Sequence, residues 1–354
     1  MITLPRPSRA FASDNAAGVH PAVMAALAEA NNGHALAYGD DRWTAENAGL
    51  MRELFGADAE TFLVWGGTGA NVMALATMLG PAEAVICTNW AHINVDETGA
   101  PERILGAKLI DLDCADGKLV PEQLREQAHA RGDMHHAQPG VVSLTQSTEL
   151  GTLYSVDEIA ALCDTAHGLG MTVHLDGARL ANAVAAIGGA TATLRAMTVD
   201  AGVDVVTFGA TKNGLMYGEA VVCLNPRFAR VAPFVRKQVT QLPSKMRFVA
   251  AQLNALLRDG LWLANAEHSN AMARVLYDLT AAIPGVVYDA EPQVNAIFPH
   301  LPADAIKPLQ EWCFFWDWSL AANQVRWMTA WDTTADDVAA FAAGVREQVV
   351  NAKH

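Results

Sequence analysis

Two apolar runs each end in a residue that could do chemistry. Met171-Thr172-Val173-His174-Leu175-Asp176 reads as a buried strand that delivers a carboxylate into Gly177-Ala178-Arg179. Val203-Asp204-Val205-Val206-Thr207-Phe208 reads as a second strand, and it delivers Lys212 into the small-residue turn Gly209-Ala210-Thr211-Lys212-Asn213-Gly214. An amine and a carboxylate so placed suit pyridoxal phosphate. The amine holds the aldehyde as a Schiff base, and the carboxylate keeps the pyridine nitrogen protonated so that the ring can accept electrons. The 36 residues from Asp176 to Lys212 leave room for one crossover helix, so both groups can meet at one edge of a parallel sheet. The small residues around Lys212 allow a close backbone approach to a bound ring. Each half is weak alone, because strands often end in Asp and a lone Lys is usually solvated.

Other stretches gain meaning beside this pair. Trp65-Gly66-Gly67-Thr68-Gly69-Ala70-Asn71 joins a strand to a helix. Free amides at a helix N-terminus, with a Thr hydroxyl and glycines that permit close approach, form a phosphate site. Taken by itself the stretch is an ordinary glycine-rich turn. His174 shares a strand face with Asp176 and could hold it by a hydrogen bond. Arg326 lies beside Trp327-Met328-Thr329, where an unpaired guanidinium would be costly, and a bidentate grip on an α-carboxylate would explain it. Arg131-Gly132-Asp133-Met134-His135-His136 reads as a polar loop rather than a metal site, since adjacent histidines diverge. Trp312, Phe314, Phe315, Trp316 and Trp318 read as small-domain core or a subunit contact.

The order Ser13-Asp14-Asn15, Gly67-Thr68-Gly69-Ala70-Asn71, Ala91-His92-Ile93, His174-Leu175-Asp176-Gly177-Ala178-Arg179, Thr211-Lys212-Asn213-Gly214 and Val325-Arg326-Trp327-Met328-Thr329 resembles the low-specificity threonine aldolases, which are fold-type-I pyridoxal phosphate enzymes. The resemblance implies an α/β fold: a large domain with a mostly parallel seven-stranded sheet, plus a small C-terminal α+β domain. It implies retro-aldol cleavage of β-hydroxy-α-amino acids such as L-threonine, L-allo-threonine or phenylserine to glycine and an aldehyde. Lys212, His92 and Asp176 would be catalytic, with His92 stacked on the cofactor ring. Gly67, Thr68, Gly69 and Arg179 would join them in holding the cofactor. Ser13, Arg179 and Arg326 would bind the substrate carboxylate. The alternative for Arg179 is an ion pair with a nearby acid. Lys245 or Arg247 would reach the phosphate of a neighbouring subunit, which implies a homo-oligomer, a tetramer built from dimers; a solvated helix start is the alternative. One departure stands out. Where the family usually reads Glu-Asn-Thr-His-Asn, this chain reads Thr145-Gln146-Ser147-Thr148-Glu149, so Thr148 replaces the histidine commonly placed near the substrate hydroxyl. The base of the aldol step is then His92 or an ordered water. Other open readings are β-elimination or transamination on the same cofactor, and a non-catalytic binding protein of the same fold.

The elements that must carry these residues alternate. Helices are expected near Pro21 to Asn31 and Asp41 to Phe55, then a strand Thr61 to Val64, a helix Ala70 to Leu79 and a strand Ala84 to Thr88. Strand Val141 to Leu144, a helix opened by the capping box Ser155-Val156-Asp157-Glu158, and strands at Thr172, Asp204 and Ala220 follow. From about Ser244 the rhythm changes to long helices up to Ala282 and short strands at Val286, Asn295 and Gln324. A helix through Ile306 to Phe315 and a closing helix from Thr333 complete the chain. The expected division is an arm at 1–20, a large domain at 21–255 and a small domain at 256–354.

At 354 residues, 51% hydrophobic and 18% charged, the chain is an ordered globular one. A formal net charge of −14 argues against nucleic acid and anionic membrane partners. Five scattered cysteines without a Cys-x-x-Cys pair, an N-terminus without a signal-like apolar run, and no stretch long enough to span a membrane predict a cytoplasmic protein.

Overall fold

The computed structural model describes residue 2 and residues 4–351. Seven strands form one sheet: β1 (Glu60–Val64), β2 (Glu83–Thr88), β3 (Lys108–Leu112), β4 (Gln138–Thr145), β5 (Thr172–Gly177), β6 (Val205–Phe208) and β7 (Glu219–Cys223), in the order β1-β7-β6-β5-β4-β2-β3. The pairs β3-β2, β2-β4, β4-β5 and β5-β6 are parallel, and β7 runs antiparallel to both neighbours. Strands β5, β6 and β7 are buried along their whole length, because helices cover both faces and water reaches neither. That is why they read as nearly unbroken apolar runs. The register aligns Thr145 with Asp176 and Asp176 with Thr207, so the strand ends that matter lie side by side.

Two glycines set how closely those ends pack. A Cβ on Gly177 would lie 2.4 Å from the Thr207 carbonyl oxygen, and one on Gly209 would lie 2.3 Å from that of Ala178. The backbones that lead to Asp176 and Lys212 therefore approach within a distance that only glycine permits.

The second sheet is antiparallel and small. It comprises β8 (Val287–Tyr288), β9 (Ala296–Ile297), β10 (Pro299–His300), β11 (Trp316–Ser319) and β12 (Gln324–Met328). The helices Ala303–Trp312 and Ala335–Asn351 complete a separate apolar cluster that includes Phe315, Trp327 and Phe341. The N-terminal segment belongs to this cluster. Phe11 stacks on Phe341 at 4.3 Å and its carbonyl accepts from Met328 N–H at 2.9 Å. Asp337 accepts from both the Ser8 amide and hydroxyl, and Arg9 pairs with Asp337 and Asp332. The segment is thereby fixed across the small sheet and leads Ser13 to the cleft between the two sheets.

Several expected bounds shift. The helix expected from Ala70 is Gly67–Met78, so the glycine-rich stretch supplies its first turn. Asp41 is the N-cap of the helix Arg42–Phe55, and the Ser155–Glu158 capping box opens Val156–Gly168. Strand β3 has no counterpart in the sequence reading, because an edge strand written Lys108-Leu109-Ile110-Asp111-Leu112 lacks the apolar run of its inner neighbours. Strand β11 was hidden in the aromatic cluster.

Candidate active site

The ends of β4, β5 and β6, the first turn of Gly67–Met78, the segment at Ser13 and strand β12 converge on adjoining cavities. One, about 250 Å³, is lined by Gly66, Gly67, Thr68, His92, Asp176 and Lys212, among others. A second, about 360 Å³, is lined by Ser13, His92, Glu149, Arg179, Lys212 and Arg326, among others. Lys212, on the short 3-10 turn Thr211–Asn213, borders both. Burial lowers its pKa, and the nearby Arg179 charge lowers it further, which favours the neutral amine a nucleophile needs.

Asp176 is buried and satisfied on both oxygens. Oδ1 accepts from the Ala178 amide at 2.9 Å, and Oδ2 accepts from Asn71 Nδ2 at 2.9 Å. The expected partner, His174, bonds Ser143 instead at 2.9 Å, and burial pushes its pKa down to about 4, so the ring is neutral. Asn71 also donates to Glu97 Oε1 at 2.9 Å, and that oxygen lies 2.8 Å from His92 Nδ1. The hydrogen bond to Glu97 is the main reason the His92 pKa is raised. Asp176, Asn71, Glu97 and His92 thus form one connected network. The sequence reading missed Asn71 and Glu97, although Asn71 stood inside a quoted motif.

No side chain caps the helix at Gly66, and Gly66, Gly67 and Thr68 line the smaller cavity. The first-turn amides and the Thr68 hydroxyl suit an anion. Gly69 is not among the lining residues. It packs against Gln241, whose Oε1 lies 2.3 Å from where a Cβ would sit and accepts from the Trp65 amide.

At the far side Arg179 forms a two-point ion pair with Asp14, Nε to Oδ2 at 2.7 Å and Nη2 to Oδ1 at 3.0 Å. Burial would raise the Asp14 pKa, but the charge and hydrogen bonds of Arg179, with Lys212 and Asn295, together outweigh it and lower the pKa. Arg179 lines the larger cavity with this pair in place. Arg326 donates to the Ala12 carbonyl at 3.4 Å and lies 5.5 Å over the Trp318 ring, while its buried Nε has no partner. Burial lowers its pKa. Trp316 and Trp318 line this cavity, whereas Trp312 and Phe315 are core, so the aromatic cluster divides between two duties. Arg247 and Lys245 stand at the start of the helix Met246–Leu257, away from the lining of both cavities. Arg247 donates to the Gly33 carbonyl at 3.1 Å.

Pyridoxal phosphate fits this donor set. An uncapped helix N-terminus faces the same space as a buried carboxylate and a lysine amine, and buried Ser147 Oγ, Glu149 Oε2 and Arg326 Nε have no protein partner beside it.

The chain matches the beta-eliminating lyase family over residues 10–303. It is 43% identical over 339 residues to a low specificity L-threonine aldolase of Pseudomonas aeruginosa, covering 95% of this chain and 96% of the relative. Identity to an enzyme of the same description from another Pseudomonas strain is 42% over 342 residues, covering 96% and 97%. It superposes on a threonine aldolase of Leishmania major with a TM-score of 0.89 at 31% identity, covering 96% of this chain and 99% of the other. The chain therefore belongs to the beta-eliminating lyase family and, within it, to the low-specificity threonine aldolases of the fold-type-I pyridoxal phosphate class.

Proposed function

We propose that this protein cleaves β-hydroxy-α-amino acids, L-threonine and L-allo-threonine among them and phenylserine by extension, to glycine and an aldehyde. Pyridoxal phosphate, when bound, supplies the electron sink that makes breaking the Cα–Cβ bond feasible. Lys212 would hold the cofactor covalently, and Asp176 would hold a proton on the ring nitrogen. The first-turn amides of Gly67 and Thr68 would take the phosphate, and His92 would pack its imidazole against the ring. Arg326 and Ser13 would grip the substrate α-carboxylate, which sets the Cα–Cβ bond in the orientation for cleavage. Arg179, held by Asp14, adds positive charge on the cofactor and substrate side.

The observation that carries this reading is the shared border: Lys212 and His92 line both cavities, with the anion cradle and Asp176 on one side and Ser13 and Arg326 on the other. A homotetramer built from dimers fits the outward position of Lys245 and Arg247, which leaves a phosphate contact by either to a second copy. Exposed Leu36 and Tyr38 nearby suit an interface. Five free, buried cysteines suit a reducing compartment such as the cytoplasm; no helix among the described residues is long and apolar enough to cross a membrane.

The test is direct. Purified protein is expected to release glycine from threonine or allo-threonine, borohydride to fix the cofactor on the peptide bearing Lys212, and Lys212→Ala to abolish turnover. Labelling of a different lysine would remove the assignment.

A further inference from the structure

The loop that departs from the family's usual pattern carries a carboxylate in an unusual position. Glu149 is partly exposed as a residue, yet its Oε2 is buried and without a hydrogen-bond partner. The other oxygen, Oε1, accepts from the His92 backbone amide at 2.8 Å. The side chain lines the cavity that holds Ser13 and Arg326, and it also lines a small cavity of about 50 Å³ beside Asp176 and Lys212. Around it stand His92 and Glu97 from the short helix His92–Val95 and the turn after it, Asp176 and Arg179 from the end of β5, Lys212 from the turn after β6, and Thr145 from its own strand. Burial, then the neighbouring Asp176 charge, pushes its pKa up to about 7.

This arrangement differs from that of the other buried carboxylates in the site. Asp176 is tied on both oxygens, Asp14 is paired with Arg179, and Glu97, whose Oε2 is likewise buried without a partner, has its other oxygen shared by Asn71 and His92. Glu149 alone among these four lines both the small cavity and the Arg326 cavity. It follows directly on Thr148, which is itself occupied by a 2.6 Å contact with Thr152 Oγ1. A carboxylate poised near neutrality can accept a proton at the operating pH, whereas a threonine hydroxyl cannot.

We propose that Glu149 is the base that accepts the substrate β-hydroxyl proton, in the loop where the family's usual histidine is missing; this rests on the aldol reading above. The O–H bond breaks and its proton passes to Glu149 Oε2. The O–H electron pair becomes the second C–O bond of the aldehyde, and the Cα–Cβ pair stays on Cα. One proton then leaves Glu149 and one reaches Cα, which completes glycine without a co-reactant.

The experiment compares wild type with Glu149→Gln and Glu149→Asp as holoenzymes. Gln keeps an oxygen for the His92 amide and removes the base. Expected for Glu149→Gln is a loss in kcat for threonine cleavage of about a hundredfold or more with KM within about threefold. The rise of the wild-type rate with pH should disappear, and Glu149→Asp should restore part of the rate. Exchange of the glycine Cα proton with deuterated water, which breaks no O–H bond, should fall by less than about threefold. A readout apart from turnover is infrared titration of cofactor-free protein: the protonated carboxyl signal that titrates near neutrality should lose the Glu149 contribution in Glu149→Gln and keep that of Glu219. Near-normal cleavage by Glu149→Gln, equal losses in cleavage and exchange, or a carboxyl signal near neutrality that is unchanged in Glu149→Gln would each overturn the assignment while leaving the aldolase reading intact. A wild type that releases no glycine overturns that reading, and this inference with it.

Discussion

At the Asp176 end of the site both carboxylate oxygens already have donors, the Ala178 amide and Asn71, and Asn71 is itself held by Thr207. At the Arg326 end, the guanidinium Nε, the Ser147 hydroxyl and Glu149 Oε2 are buried with no partner. Leaving a buried polar group unsatisfied costs about 1–3 kcal/mol, more when it is charged. Asp176 itself is fully satisfied in the free protein, although its network neighbour Glu97 keeps Oε2 buried without a partner, so this carboxylate can hold a permanent cofactor in one orientation. The Arg326 end holds unmet hydrogen-bonding capacity beside the larger cavity, which a substrate with a carboxylate and a hydroxyl can meet. The difference separates preorganisation for the cofactor from binding energy reserved for each turnover.

The comparison is tested hardest at Asp176. Asp176→Asn keeps the shape and removes the charge that would hold the ring nitrogen protonated. The expected fall in kcat is on the order of a thousandfold, as for loss of a key electrostatic stabiliser. Asn71→Ala, which removes one donor and breaks the link to Glu97, should cost roughly tenfold, about the value of one hydrogen bond to a charged group. Steady-state kinetics together with the absorbance of bound cofactor would distinguish the two. Equal losses would show that the network, not the charge, is what matters at this end.

Arg326 probes the other region. Arg326→Gln should leave the cofactor spectrum unchanged and raise KM for threonine by roughly a hundredfold, the scale of losing a charge-assisted two-point contact. A variant with unchanged KM would mean that the unpaired Nε serves something other than the substrate carboxylate.

How much of this was legible depended on the kind of residue. Asp176 and Lys212 end strands that are buried on both faces, so a continuous apolar run pointed straight at them. Arg326 was legible because a cation in an apolar strand demands a reason. Glu97, Glu149 and Glu219 were not, because a glutamate in a polar stretch looks solvated until the fold closes over it. Asn71 hid for a related reason: in sequence it is one more residue of a helix, and only the register of β5 against that helix turns its amide toward Asp176. The edge strand β3 and the bulged β11 lacked the apolar pattern of the central strands. The glycine at 209 reads as room for a ring, whereas the Cβ positions missing at 177 and 209 would collide with neighbouring backbone, so both glycines serve the approach of two strand ends.

The smallest effect concerns stability. Glu219 is buried at the start of β7, accepts from the Ala210 amide at 2.5 Å, and has its pKa pushed up to about 7 by burial; Glu149 is likewise raised to about 7. In the unfolded chain both are ionised above their ordinary value of 4.5, so across neutrality the folded state binds more protons and stability falls as pH rises. His92, raised chiefly by Glu97, acts in the same direction. His174, lowered to about 4, acts in the opposite direction, and its effect is complete by its unfolded value of 6.5. Between pH 6.5 and 8 the two glutamates should therefore dominate with His92, each glutamate contributing about 0.8 kcal/mol of lost stability. For a chain of this size that corresponds to a fall of roughly 2 °C in apparent melting temperature for the pair. Differential scanning calorimetry of cofactor-free protein should show this fall, and the Glu149→Gln/Glu219→Gln double variant should flatten it. Because Asp176 and its partners are untouched in that variant, an unchanged slope would place the proton uptake outside these two carboxyls and weaken the contrast between a satisfied cofactor end and a reserved substrate end.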